Sequence, residues 1–203
     1  LKGKELKNAI PDKIYISLKD MRILTKVDML MLEMLANCNW ERPLYMAISV
    51  GEVSKLKFDH YFVQEGLAFR FTPFDYKKWG NVKGDNNYAI DVERLYENVM
   101  NRYKYGGLDT PGLYLDETTL RTCYYHRRLF AQLAKELIRQ GDNTRARKVL
   151  AYAEQAVPAY NVPEIYESGS FDIAKAYAAL GEKTKAMPLL KNLTAESEDY
   201  INW

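Results

Sequence analysis

Two glycines, Gly141 and Gly181, each close a stretch with helical apolar spacing, and the residues around them recur in register. Leu133, Ala134 and Leu137 precede Gly141, and Ile173, Ala174 and Tyr177 stand at the same offsets before Gly181. Ala146, Ala153 and Pro158 follow the first glycine, and Ala186 and Leu193 hold the first two of those places after the second. Each residue type has a physical task in such a pattern. A glycine permits the left-handed turn that ends a helix, small residues let two helices approach closely, and a proline stops the second helix.

These are the spacings of the tetratricopeptide hairpin, a helix–turn–helix unit with a period of about 34 residues. Here the two glycines are 40 residues apart, so about six residues are extra relative to that period, and they fall in Ala159–Ser168 around Pro163. The last ninety or so residues are therefore read as paired antiparallel helices, the first over 117–140 burying Leu120, Cys123, Tyr124, Phe130, Leu133 and Leu137. Two hairpins are few for a free-standing solenoid, so the preceding part of the chain is expected to cap one end.

That preceding part is read as a small α/β unit. Ile10-Pro11-Asp12 signals a turn, and Ile14–Leu18 reads as a strand. Thr25 with Asp28 three residues on forms a capping box, with Leu24 and Met29 in staple positions. Val27, Leu30, Met31, Met34, Leu35 and Cys38 then keep helical spacing and are read as a core face. Leu44–Val50 is a nearly all-apolar run, which predicts a strand buried on both faces and a parallel crossover with the strand before the helix. Residues 54–65 read as a short helix, and Leu67, Phe69 and Phe71 alternate with small or polar residues as in a half-buried strand. A loop over 75–91 precedes a helix over 92–103 that carries Val92, Leu95, Tyr96, Val99 and Tyr103 on one side. The segment from Tyr105 to Leu115 is turn-rich, so the expected organisation is a small α/β domain over 1–110 and helical repeats over 111–203, an α+β chain with a short mixed sheet.

Composition narrows the function more by exclusion than by indication. There are 29 basic and 27 acidic residues, a net charge of +2. Such a balance lacks the clustered basic face of a nucleic-acid binder. No apolar stretch approaches the ~20 residues of a spanning helix. The chain opens at Leu1 within a polar segment, which reads as a fragment of something longer. Cys38 and Cys123 are too few for a disulfide scaffold, and a single bridge between them stays open.

No catalytic, cofactor or metal constellation is recognisable. His60 and His126 have no His or Cys at the offsets of a zinc motif. Gly106-Gly107 lacks the lysine of a phosphate loop. Asp109, Asp116 and Glu117 could supply an acid and a base, but a helix cap at Asp116 or Thr118 accounts for them more simply. Asn192-Leu193-Thr194 matches a glycosylation sequon but falls in a predicted helix and carries no weight. The candidate binding surface is Trp40, Arg42, Tyr45 and Arg70, in which aromatic faces and guanidinium forks could hold a carbohydrate or an anionic group. The competing reading is that the two arginines anchor carbonyls and carboxylates of the fold itself.

Three segments carry a family resemblance: Asn39-Trp40-Glu41-Arg42-Pro43-Leu44-Tyr45-Met46-Ala47; Tyr61-Phe62-Val63-Gln64-Glu65-Gly66-Leu67-Ala68-Phe69-Arg70-Phe71-Thr72-Pro73; and Asn98-Val99-Met100-Asn101-Arg102-Tyr103-Lys104-Tyr105-Gly106-Gly107, followed by Tyr114-Leu115-Asp116-Glu117. Together they resemble the soluble C-terminal region of the multi-pass bacterial membrane proteins called domain of unknown function 2723, which are similar to protein O-mannosyltransferases. The resemblance runs over about residues 10 to 195. It implies a non-catalytic periplasmic portion of a membrane glycosyltransferase-like protein, with the chemistry in an N-terminal membrane domain that this chain does not contain. The implied partners are that membrane domain and a polypeptide or glycan acceptor. A purely structural domain, packing on its own membrane part or on a second copy, is the alternative. An independent enzyme built on the Asp109–Glu117 loop is the third reading.

Overall fold

The computed structural model describes residues 13–16, 18, 23–38, 40, 42–50, 59–76 and 88–201. It divides into two compact units, Leu1–Asp91 and Val92–Trp203. The division falls earlier than the expected junction near 110, because the helix that opens at Val92 and the turns after it pack with the helical part.

Among its described residues, the first unit is a four-stranded mixed sheet with one helix packed on it. Helix α1 (Lys26–Asn37) starts where the capping box places it: Thr25 N–H donates to Asp28 Oδ2 at 2.8 Å, and Asp28 N–H donates to Thr25 Oγ1 at 3.2 Å. Leu24 and Met29, in the staple positions, are both exposed. The core face also differs from the expected one. Met31, Leu32 and Leu35 pack inward, whereas Val27, Leu30 and Met34 are exposed.

Strands β1 (Tyr45–Ala47), β2 (Phe62–Gln64), β3 (Ala68–Phe71) and β4 (Ala89–Ile90) lie in the order β1-β3-β2-β4. The β1–β3 and β2–β3 pairs are antiparallel, and β2–β4 is parallel. Several expectations are corrected here. The described residues of Ile14–Leu18 form no strand, although Ile14 and Ile16 pack on the core, so among the described residues there is no parallel crossover through α1. The run from Leu44 gives an edge strand with Tyr45 and Ala47 exposed, not one buried on both faces. The end of the expected 54–65 helix is a turn of 3-10 helix (Asp59–Tyr61) followed directly by β2, while residues 54–58 lie outside the described residues. The turn at Ile10–Asp12 and most of the expected loop, residues 77–87, also lie outside them.

Strand β3 follows its alternation, with Phe69 and Phe71 buried. With Phe62 and Tyr61 they form the core of this unit, against which α1, Leu44, Met46 and Ile48 pack.

The second unit is helical. Helix α2 (Val92–Glu97) runs on into a π-helical turn (Asn98–Arg102), burying Val92, Leu95 and Val99 along one side as the periodicity predicts. Helices α3 (Glu117–Arg139), α4 (Asn143–Ala156), α5 (Ser170–Ala179) and α6 (Lys183–Ile201) form two hairpins. Helix α3 packs on α4 and α5, and α5 packs on α6. Gly141 and Gly181 take φ values of +83° and +80°, the left-handed region that the turns need. Ala146 and Ala186 are 0% and 2% exposed, which is what close contact between paired helices requires. Asp116 caps α3, accepting from the N–H groups of Thr118 and Thr119.

The extra residues between the hairpins form an ordered connection organised by one buried cation. Arg127, 5% exposed, donates to the carbonyls of Val157, Val162 and Pro163 at 3.0, 2.6 and 2.6 Å, and to Ser168 Oγ at 3.0 Å. The same connection reaches back to the segment before α3. Asn161 Nδ2 donates to the carbonyls of Leu108 and Thr110, and the Tyr160 hydroxyl donates to that of Asp109.

Candidate functional site

The four sequence candidates all belong to the first unit, but the sheet separates them. Tyr45 on β1 lies directly across from Arg70 on β3, so their side chains share a face. Phe71 is the next residue along β3 and points to the opposite face, where it joins the core. Trp40 stacks on Phe71, with ring centroids 5.6 Å apart and planes within 6°. Trp40 is thereby tied to the core side, and Tyr45 and Arg70 to the other.

Tyr45 and Arg70 are joined by a residue the sequence reading did not single out. Glu65, in the turn between β2 and β3, is 6% exposed. Arg70 Nε donates to its Oε1 at 2.6 Å, and the Tyr45 hydroxyl donates to its Oε2 at 3.2 Å. A short charge-assisted bond to a nearly buried carboxylate fixes the guanidinium plane. The terminal nitrogens of Arg70 make no hydrogen bond among the described residues, and its side chain is 31% exposed. Beside it, Tyr45 is 52% exposed. The result is an oriented cationic fork next to an aromatic face open to solvent. That combination suits a planar carboxylate, or the mixed apolar and hydroxyl surface of a sugar. The signal for Glu65 was its place in the turn, five residues before Arg70, with apolar strand residues on both sides.

Trp40 and Arg42 sit on the approach to β1. Trp40 has φ of +60° and is half exposed. A bulky residue in the left-handed region is strained, and such strain gathers where a side chain must be held in one place. Arg42 is exposed and makes no hydrogen bond or ion pair among the described residues.

Several of the other candidates have partners within the fold. Asp116 is a cap, and the hydrogen bonds from Thr119 lower its pKa. Glu117 pairs with Arg121 one turn on, at 2.7 Å. Asp109 contributes its main-chain carbonyl to Tyr160. His126 lies edge-on to Tyr103 and Tyr105, and burial lowers its pKa. His60 Nε2 lies 3.9 Å from Asp75. Cys38 and Cys123 are free thiols, and burial raises the pKa of the latter. Among the described residues, no group of three or more His, Cys, Asp or Glu could hold a metal ion, and no helix is long and apolar enough to cross a membrane.

Comparison with known families finds a match over residues 1–93 to the model described as TMEM260-associated domain 2. The matched stretch takes in the whole first unit, including Tyr45, Glu65 and Arg70. The family is linked to TMEM260, a protein O-mannosyltransferase, which agrees at that level with the resemblance drawn from the sequence. No curated protein and no solved structure matches the chain.

Proposed function

We propose that this chain is a non-catalytic accessory domain of a membrane glycosyltransferase-like protein, and that its first unit contacts the acceptor, a polypeptide or glycan, through the Tyr45–Arg70 face. The observation that carries the reading is the fork of Arg70, oriented by nearly buried Glu65 and lying across the ladder from half-exposed Tyr45. A pair serving the fold alone would be expected to cover its own guanidinium. The family match over residues 1–93 supports the association with glycosyl transfer, and the periplasmic side is the location that the sequence resemblance implies.

The test is titration of the isolated chain with oligosaccharides and glycopeptides, followed by NMR. Binding should perturb Tyr45 and Arg70, and Tyr45→Ala should weaken it about fivefold or more, the loss expected when one exposed aromatic contact is removed. Arg70→Lys keeps a cation beside Glu65 but removes the fork, and should weaken binding while the fold persists. No binding at millimolar ligand, or equal binding by both variants, would refute the assignment.

One observation favours the alternative, a structural domain that packs on its own membrane part or on a second copy. Val27, Leu30 and Met34 form an exposed apolar line along α1, a surface of the kind that interfaces cover.

A further inference from the structure

Helix α1 carries more apolar surface than the core beneath it takes up. Val27, Leu30 and Met34 follow one another at spacings of three and four residues, the a and d positions of a heptad, and all three are exposed. Met29 on the helix, and Ile23 and Leu24 just ahead of it, are exposed as well. Together they make a patch of the few hundred Å² that mark an interaction surface. The inward side of α1 is Met31, Leu32 and Leu35. At about 100° per residue, the line through Val27, Leu30 and Met34 lies roughly a third of a turn away from that side. A second helix can therefore lie beside α1 without displacing the core.

The charges beside the line select the partner. Lys26 and Glu33 each stand one residue before a member of it, Val27 and Met34, so both flank it on the same side, and both are exposed. The Glu33 carboxylate accepts from Asn37 of the same helix at 2.8 Å. Lys26 makes no hydrogen bond or ion pair among the described residues. One positive and one negative charge thus stand a heptad apart, at opposite ends of an apolar seam centred on Leu30. Turned end for end about Leu30, such a helix is complementary to itself.

We propose that α1 pairs antiparallel with α1 of a second copy of this chain, about a two-fold axis crossing the helices at Leu30. Leu30 then meets its own counterpart, Val27 meets the partner's Met34, and Lys26 meets the partner's Glu33 on the outer flank. Such an interface is isologous, so each off-axis contact occurs twice. A wholly apolar partner, such as a lipid-facing helix, would leave both charges at its edge unanswered. The patch is smaller than the about 800 Å² per partner of a standard interface, so the pair is reversible, with a dissociation constant on the order of 10–100 µM. The pairing rests on the structural alternative above and not on acceptor contact. Tyr45 and Arg70 share the face of the sheet opposite the one that carries Phe69, Phe71 and α1, so the pair leaves them open.

The experiment is sedimentation equilibrium of the full chain, without ligand, from about 5 to 500 µM. The mass should rise from the 23.6 kDa of one chain towards twice that value. Leu30→Glu sets two carboxylates together on the axis and should weaken the pair at least about tenfold. Lys26→Glu and Glu33→Lys should each weaken it about threefold to tenfold, since each places like charges face to face at two sites. The double exchange should restore the original constant. Circular dichroism establishes that each variant is folded, and the charge variants, at exposed positions, carry the test if Leu30→Glu does not fold. A chain that stays monomeric throughout, a dimer indifferent to Leu30→Glu in a folded variant, or a double exchange no tighter than the single ones would overturn the proposal. Because mass is read without ligand, this pairing and the Tyr45–Arg70 reading fail separately.

Discussion

Replacing Arg127 by alanine should cost the second unit about 4 kcal/mol, working from the acceptors it serves. The guanidinium satisfies the carbonyls of Val157 and Val162, which are 2% and 0% exposed as residues, together with that of Pro163 and the hydroxyl of Ser168. Its charge is itself expensive to bury, and desolvation accordingly lowers its pKa. In the native chain these costs offset one another, so the net value of the cation is small. Alanine removes only the donor. Two buried carbonyls then lack a partner, at about 1–3 kcal/mol each, and the apolar stem of the side chain leaves a void that adds to the loss. With a urea m-value of about 2 kcal/mol per molar, the transition midpoint should fall by about 2 M. Lysine supplies one or two hydrogen bonds from a point charge in place of a planar fork, and should restore no more than about half. Amide exchange should quicken first over residues 157–170. A loss below about 1 kcal/mol for the alanine variant, with exchange unchanged across that connection, would refute the account of Arg127 as its organising centre.

Two further outcomes follow from the helical part. Gly169→Ala should destabilise by about 2–3 kcal/mol, measured by urea unfolding, because φ is +85° there and the new methyl would lie 2.8 Å from Arg128 Cγ. Asp116 has a lowered pKa in the folded state, so the stability it confers is present above the ordinary aspartate value and is lost as pH falls through the lower folded value. Asp116→Asn keeps the cap but removes the titration, and should flatten the fall in stability on acidification below about pH 4.

The helical hairpins were legible because their signals are local and redundant. Gly141 and Gly181 set the turns, Ala146 and Ala186 the close contacts, and Thr25 with Asp28 the start of α1. Strand β3 was legible for the same reason, as Phe69 and Phe71 alternate with Ala68 and Arg70. The sheet around it was not. Phe62, Val63 and Gln64 are all buried, and a short run without alternation reads equally well as one turn of helix. Helix α1 is apolar almost all round, so its period could not choose between Met31–Leu35 and Val27–Met34 as the inward side. Of the candidate site, the residue types were visible but their grouping was not. The β1–β3 register puts Tyr45 with Arg70, and the pleat sends Trp40's stacking partner to the other side. Glu65 was hidden because a turn acid is ordinary until a fork is found resting on it.

The connection between the hairpins changes what kind of array this is. In a plain tandem of helical pairs, each neighbour meets the next through the same surface, and pairs can be inserted, deleted or exchanged. Here the joint is keyed: α3 carries the arginine, and the linker carries the carbonyls shaped to it. A generic pair grafted with its own short turn in place of residues 157–201 would leave Arg127 buried without acceptors. The two hairpins should therefore behave as a single indivisible piece in any attempt to shorten, lengthen or shuffle them.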